Sequence, residues 1–153
     1  MRPLRLLHVS LTARNADKLS SFYKTVFGFV ERRAPKRLSG AAASHGNGLP
    51  DNDIYSILLH LPPDNEPFLE IMEYTKTVDR GVPAVNDPGF GHLAFEISDL
   101  YQTIDEVRRC GGDLQGEVTN FGTEERPHLI VYARDNEGNI LELEQPSITE
   151  SSH

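Results

Sequence analysis

The sequence predicts an α+β chain made of two successive β-α-β-β-β modules. Three observations carry that prediction. An order of strand, amphipathic helix and further strands runs through the first half and recurs in the second. The spacing recurs with it, because His8 to Gly28 and His92 to Gly112 are both twenty residues. Finally, each half closes on a like segment after a DNE turn: PDNEPFLEI, with Glu70, and RDNEGNILEL, with Glu142.

Residues 5–11 alternate, with Leu7, Val9 and Leu11 on one face and Leu6, His8 and Ser10 on the other, which marks a strand. Asn15 then caps a helix whose apolar stripe is Leu19, Phe22, Tyr23, Val26 and Phe27, and Gly28 stops it. FVERRA reads as a strand. Residues 35–53 are rich in Gly, Ala and Pro, lack periodicity, and read as a long loop. IYSILLHL and FLEIMEY are strands separated by the turn PPDNEP. In the second half, residues 91–97 form a strand, and Ser98 or Asp99 caps a helix carrying Leu100, Ile104, Val107 and Cys110. Gly111-Gly112 ends that helix. LQGEVTNF, HLIVYAR and NILELEQ read as the remaining strands, with DNEG as a turn. The expected organisation is a first module over 1–75 containing the loop 35–53, a linker over 76–90, a second module over 91–146, and a tail over 147–153.

The 153 residues suit one domain or two half-domains sharing a core, and 38% hydrophobic content is enough to build one. A formal charge of −8 excludes a nucleic-acid footprint. The single cysteine, Cys110, makes no internal disulfide and points to a reducing, cytoplasmic setting. Arg5 and His8 interrupt the N-terminal apolar run, so it is not read as a signal peptide, and no stretch reaches the ~18 apolar residues of a membrane span.

The repeat also places chemistry. His8 shares its strand face with Ser10, and His92 shares its face with Ala94, each opposite the large aliphatic side chains. Glu70 lies between Leu69 and Ile71, and Glu142 between Leu141 and Leu143. A carboxylate in mid-strand is costly to bury without a partner. Two such carboxylates and two imidazoles at matched places suit one divalent ion among Ni, Co, Mn, Fe and Zn. The His-to-Glu separations, 62 and 50 residues, differ by an amount that the loop 35–53 can absorb. Taken singly, a strand histidine is more often a hydrogen-bonded rim residue, and the glutamate of an LEL segment more often faces solvent. Glu73 has the wrong parity relative to Glu70, and Glu96 and Glu144 lie further along their strands. His45 and His153 read as solvated loop residues. His60 and His128 fall on strands of undetermined facing.

LLHVSLTARNADKLSSFYKTVFGF, PFLEIMEY, GFGHLAFEISDLYQTIDEVRRCGG and YARDNEGNILELEQ together resemble the vicinal oxygen chelate superfamily of glyoxalases, extradiol dioxygenases and bleomycin-resistance proteins. The resemblance implies an open, cup-shaped mixed sheet with helices on its outer face, surrounding a metal held by His8, Glu70, His92 and Glu142. That order of ligands is similar to glyoxalase I, which implies a lyase or isomerase moving a proton beside a metal-polarised oxygen of a small substrate. Glu142 is then the first choice for the base and Glu70 the second. It further implies pairing of chains into a homodimer. Alternatives are an Fe(II) extradiol-type dioxygenase and a non-catalytic drug-binding protein. Two departures stand against glutathione as the thiol carrier. Thr12 occupies the place of an arginine that grips a glutathione carboxylate, and Tyr74 the place of an asparagine. Lys36 and Arg37 give the loop 35–53 two readings, a flexible solvated loop, which is favoured, or a cover for an anionic substrate.

Overall fold

The computed structural model describes residue 1 and residues 3–148, so His153 and the tail from 149 on lie outside the described residues. The chain divides into two units, 1–79 and 80–153.

The first unit contains β1 (His8–Thr12), α1 (Ala16–Phe27), β2 (Val30–Glu31), β3 (Lys36–Ser39), α2 (Ala41–Asn47), β4 (Asp53–His60) and β5 (Phe68–Tyr74). Its open sheet runs β1-β5-β4-β2, with β3 also on β4. β1 pairs parallel to β5, and the other pairings are antiparallel. Asn15 caps α1 by accepting from the Lys18 N–H, and Gly28 ends it at φ 78°, a conformation that costs glycine nothing. Of the stripe predicted from the sequence, Val26 and Phe27 are half-buried, whereas Leu19, Phe22 and Tyr23, joined by Ala16, are buried. They lie over the sheet face that carries Ile57, Leu59, Leu69 and Ile71, all nearly inaccessible. From that same face Glu73 accepts from the Ala16 N–H at 2.7 Å and anchors the start of the helix.

The second unit repeats the plan with β6 (Leu93–Glu96), α3 (Leu100–Arg109), β7 (Asp113–Leu114), β8 (Thr119–Asn120), β9 (Leu129–Arg134) and β10 (Ile140–Gln145). The sheet order is β6-β10-β9-β7, with β8 on β9, and β6 is parallel to β10. Asp99, one of the two expected caps, accepts from the Gln102 N–H. Leu100, Ile104 and Val107 of α3 are buried, as are Val131, Ala133, Leu141 and Leu143 of the sheet.

The two mixed sheets and three helices of the described residues match the expected fold class. Two elements differ from expectation. Residues 35–53 are not one loop, since β3 adds to the edge of β4 and α2 follows it. Three consecutive alanines favour α2, and seven residues are too few to display a helical period. His45 accordingly sits, exposed, on a helix. LQGEVTNF is not continuous either: only its ends pair with β9, as β7 and β8.

The turn ahead of β10 depends on Asp135, 2% exposed. Its carboxylate accepts from the backbone of Glu137 and Asn139 and from the Asn139 side chain. Asp135→Ala is expected to leave those donors unpaired and cost about 2–4 kcal/mol in urea unfolding. Asp135→Asn should cost less, since it keeps an acceptor.

Candidate metal centre

Alternation along each strand sets the site. Glu70 stands opposite Ser10 in the parallel pair, with His8 two residues earlier on the same face. Glu142 stands opposite Ala94, with His92 two residues earlier. The two registers are identical, so each unit repeats one arrangement. Leu69 and Ile71, like Leu141 and Leu143, are drawn under the helices, which forces each glutamate onto the helix-free face.

Each histidine meets its glutamate. His8 Nε2 lies 3.7 Å from Glu70 Oε1, and His92 Nε2 lies 3.1 Å from Glu142 Oε2. Two donors bonded at about 2.0–2.2 Å to one ion, in neighbouring positions, are separated by about 3.0–3.5 Å. The His92–Glu142 spacing falls within that range, and the His8–Glu70 spacing lies just beyond it. The carboxylates are half-buried, and among the described residues neither pairs with Lys or Arg; each has an imidazole beside it. His8 Nδ1 is buried without a hydrogen-bond partner. Among the described residues no group of three or more His, Cys, Asp or Glu comes together. Each unit thus carries one His–Glu pair, and an imidazole with a carboxylate is the kind of donor set that suits a borderline divalent metal.

The pairs are held differently. The His8 ring lies 4.9 Å from the ring of Phe68, tilted 30°, and the Arg32 guanidinium covers Phe68 at 4.0 Å. His92 instead meets the edge of Tyr132 at 5.1 Å. Tyr132 faces Glu142 across β9 and β10. Hydrogen bonding toward that carboxylate, with burial and the Glu142 charge, raises the Tyr132 pKa above the ordinary tyrosine value. Leu58 occupies the equivalent place opposite Glu70. Tyr132 carries no periodicity signal beyond its position ten residues before Glu142.

The other titratable residues fall elsewhere. Glu73 faces the helix, as its parity requires. His60 Nδ1 lies 3.0 Å from the Asp64 carbonyl. His128 Nε2 pairs with Glu144 Oε1 at 2.5 Å, and Glu144 stands opposite Glu96. A hollow beside α2, lined by Gly40, Ser44, His45, Pro50 and Asn52 among others, includes none of the four predicted ligands. Arg37 does not serve the site face: it pairs with Asp53 and stands opposite Tyr55, whereas Lys36 stands opposite Ser56 on the Glu70 side.

Residues 5–143 match the family model of the Glyoxalase/Bleomycin resistance protein/Dioxygenase superfamily. Lactoylglutathione lyase from Arabidopsis thaliana is 27% identical over 145 residues, which cover 92% of this chain but only 44% of that protein. Lactoylglutathione lyase from Neisseria meningitidis is 27% identical over 144 residues, covering 93% of this chain and 91% of that one. In structure, a glyoxalase family protein from Bacillus cereus superposes with a TM-score of 0.84 at 21% identity, over 96% of this chain and 97% of that one.

The raised Tyr132 pKa has a pH consequence. A tyrosine that keeps its proton more tightly when folded stabilises the fold below the unfolded pKa of about 10, and that contribution is lost as pH rises through the raised value. Phenolate absorbance of the metal-free protein should show late-titrating tyrosines, and Tyr132→Phe should remove one. Tyr55, raised by its bond to Asp17, remains in that variant.

Proposed function

The chain belongs to the glyoxalase/bleomycin resistance protein/dioxygenase superfamily, and on that premise we propose that it is a metal-dependent lyase or isomerase. The proposed reaction is proton transfer on a carbon next to an oxygen-bearing group of a small substrate. The observation that carries this reading is the duplicated His–Glu pair, in the same register in both units. His8, Glu70, His92 and Glu142 are the proposed ligands of one divalent ion. When bound, such an ion supplies Lewis acidity toward a substrate oxygen and stabilises the negative charge that develops there.

The protein's own groups do the rest. Phe68 and Tyr132 fix the two imidazole planes. Glu142 takes the proton from the carbon through a carboxylate oxygen and returns it, while the Tyr132 hydroxyl orients that carboxylate. Glu70, without such a donor, is the second acid–base group. The presence of two carboxylates, one more than a two-His, one-carboxylate iron centre has, favours proton transfer over ring-cleaving oxygenation.

We assign the assembly as a homodimer. Leu4, Leu6 and Leu7 ahead of β1, and Phe90 ahead of β6, are large apolar side chains left exposed by the single chain, and a second copy would cover them.

Two measurements test this reading. Elemental analysis should find one divalent ion per chain, with His92→Ala reducing it to background, and sedimentation of the loaded protein should give twice 17.1 kDa. Full metal retention by that variant would remove the centre. Proton NMR in D2O with a panel of α-hydroxycarbonyl compounds and hemithioacetals should show exchange of the hydrogen beside the carbonyl. Glu142→Gln should slow that exchange by about 10²–10⁴-fold while the folded protein persists. Exchange at the wild-type rate would exclude Glu142 as the base.

A further inference from the structure

The acidic chain concentrates cations in one short stretch, RRAPKR, residues 32–37. Three of its four basic side chains lie on the sheet face that carries His8 and Glu70. Arg32 covers Phe68, the ring that stacks on His8. Lys36 stands opposite Ser56, which in turn stands opposite Met72, two residues from Glu70 on the same face. Arg33 donates from Nη2 to Ser56 Oγ at 3.0 Å and from Nη1 to the Ala34 carbonyl at 3.0 Å. Ser56 is completely buried, so its hydroxyl is a fixed post for the guanidinium.

Arg33 is half-buried. A guanidinium offers five N–H donors. The two bonds above leave the others without an acceptor among the described residues, and no carboxylate pairs with it. Neither Arg32 nor Lys36 has a carboxylate partner among those residues. A partly desolvated guanidinium held in place with its fork open is pre-organised for an oxyanion. The distance suits a small molecule. Ser56 is one strand away from the Glu70 strand and one two-residue step along, roughly 8 Å between backbones, and the Arg33 side chain spans part of that gap. The equivalent face of the second unit carries Glu96, Glu144 and His128 instead, so the cations are a departure from the repeat.

We infer that Arg33, supported by Arg32 and Lys36, forms an oxyanion subsite on the His8–Glu70 face and selects a small substrate bearing a phosphate or carboxylate a few atoms from its reacting carbon. The inference rests on the proposed function for the word substrate. The subsite itself stands on the placement of the three cations. It also supplies an anion grip that Thr12, exposed on the same face, does not.

The test is calorimetric titration of the full-length protein, metal-free and metal-loaded, with inorganic phosphate and with acetate. One of the two anions should bind, naming the oxyanion, and Arg33→Gln should weaken it about tenfold or more. Arg33→Lys should recover part of the loss, and Arg37→Gln, on the opposite face, should bind as wild type does. Circular dichroism of each variant guards against misfolding. Binding undiminished in Arg33→Gln, or no binding of either anion, overturns the subsite. Because the metal-free arm needs no ion, failure to bind metal would sink the catalytic reading and leave this result standing.

Discussion

Each glutamate of the proposed centre is held in place by its neighbours in sequence. Leu69 and Ile71, and likewise Leu141 and Leu143, must enter the core beneath a helix, and a strand cannot turn them inward without turning the residue between them outward. Parallel pairing then sets the histidine. With Ser10 opposite Glu70 and Ala94 opposite Glu142, an imidazole two residues earlier reaches its carboxylate. A slip of one residue in either register would bury the acid among aliphatic side chains and lose the pair. The hydrophobic core therefore does more than stabilise the sheet, because it is also the device that aims the ligands.

Duplication gives two His–Glu pairs in one register, and divergence has made their surroundings unequal. One imidazole stacks on Phe68 beneath a guanidinium, whereas the other meets the edge of a tyrosine that stands opposite its glutamate. The surrounding charge diverges in the same direction: arginines and a lysine gather on the first face, glutamates and His128 on the second. Under the proposed function, the first module would contribute recognition of an anionic substrate and the second the carboxylate that moves its proton.

Much of this was legible in the sequence because it depends on periods. Alternation of two exposed the strands around His8, Glu70 and Glu142, and the 3.6-residue stripe of Leu19, Phe22 and Tyr23 exposed α1, with Asn15 and Gly28 as its limits. What escaped lacks a period. The seven residues of α2 hold no repeat, and β3 is four residues long and joins at an edge. Arg33 follows β2 rather than belonging to it, so its contact with Ser56 is set by a bend and not by alternation. Lys36 and Arg37 looked equivalent as neighbours in a loop, yet placing them on a strand sends them to opposite faces.

The central claim is that two histidines and two glutamates, distant in sequence, share one ion. X-ray absorption of the cobalt-substituted protein tests it most directly, because multiple scattering counts imidazole rings bound to the metal. Two imidazoles in an otherwise oxygen shell, with the cobalt lost from His8→Ala, is the result predicted here. A shell with no imidazole, or one unchanged by that substitution, would contradict it.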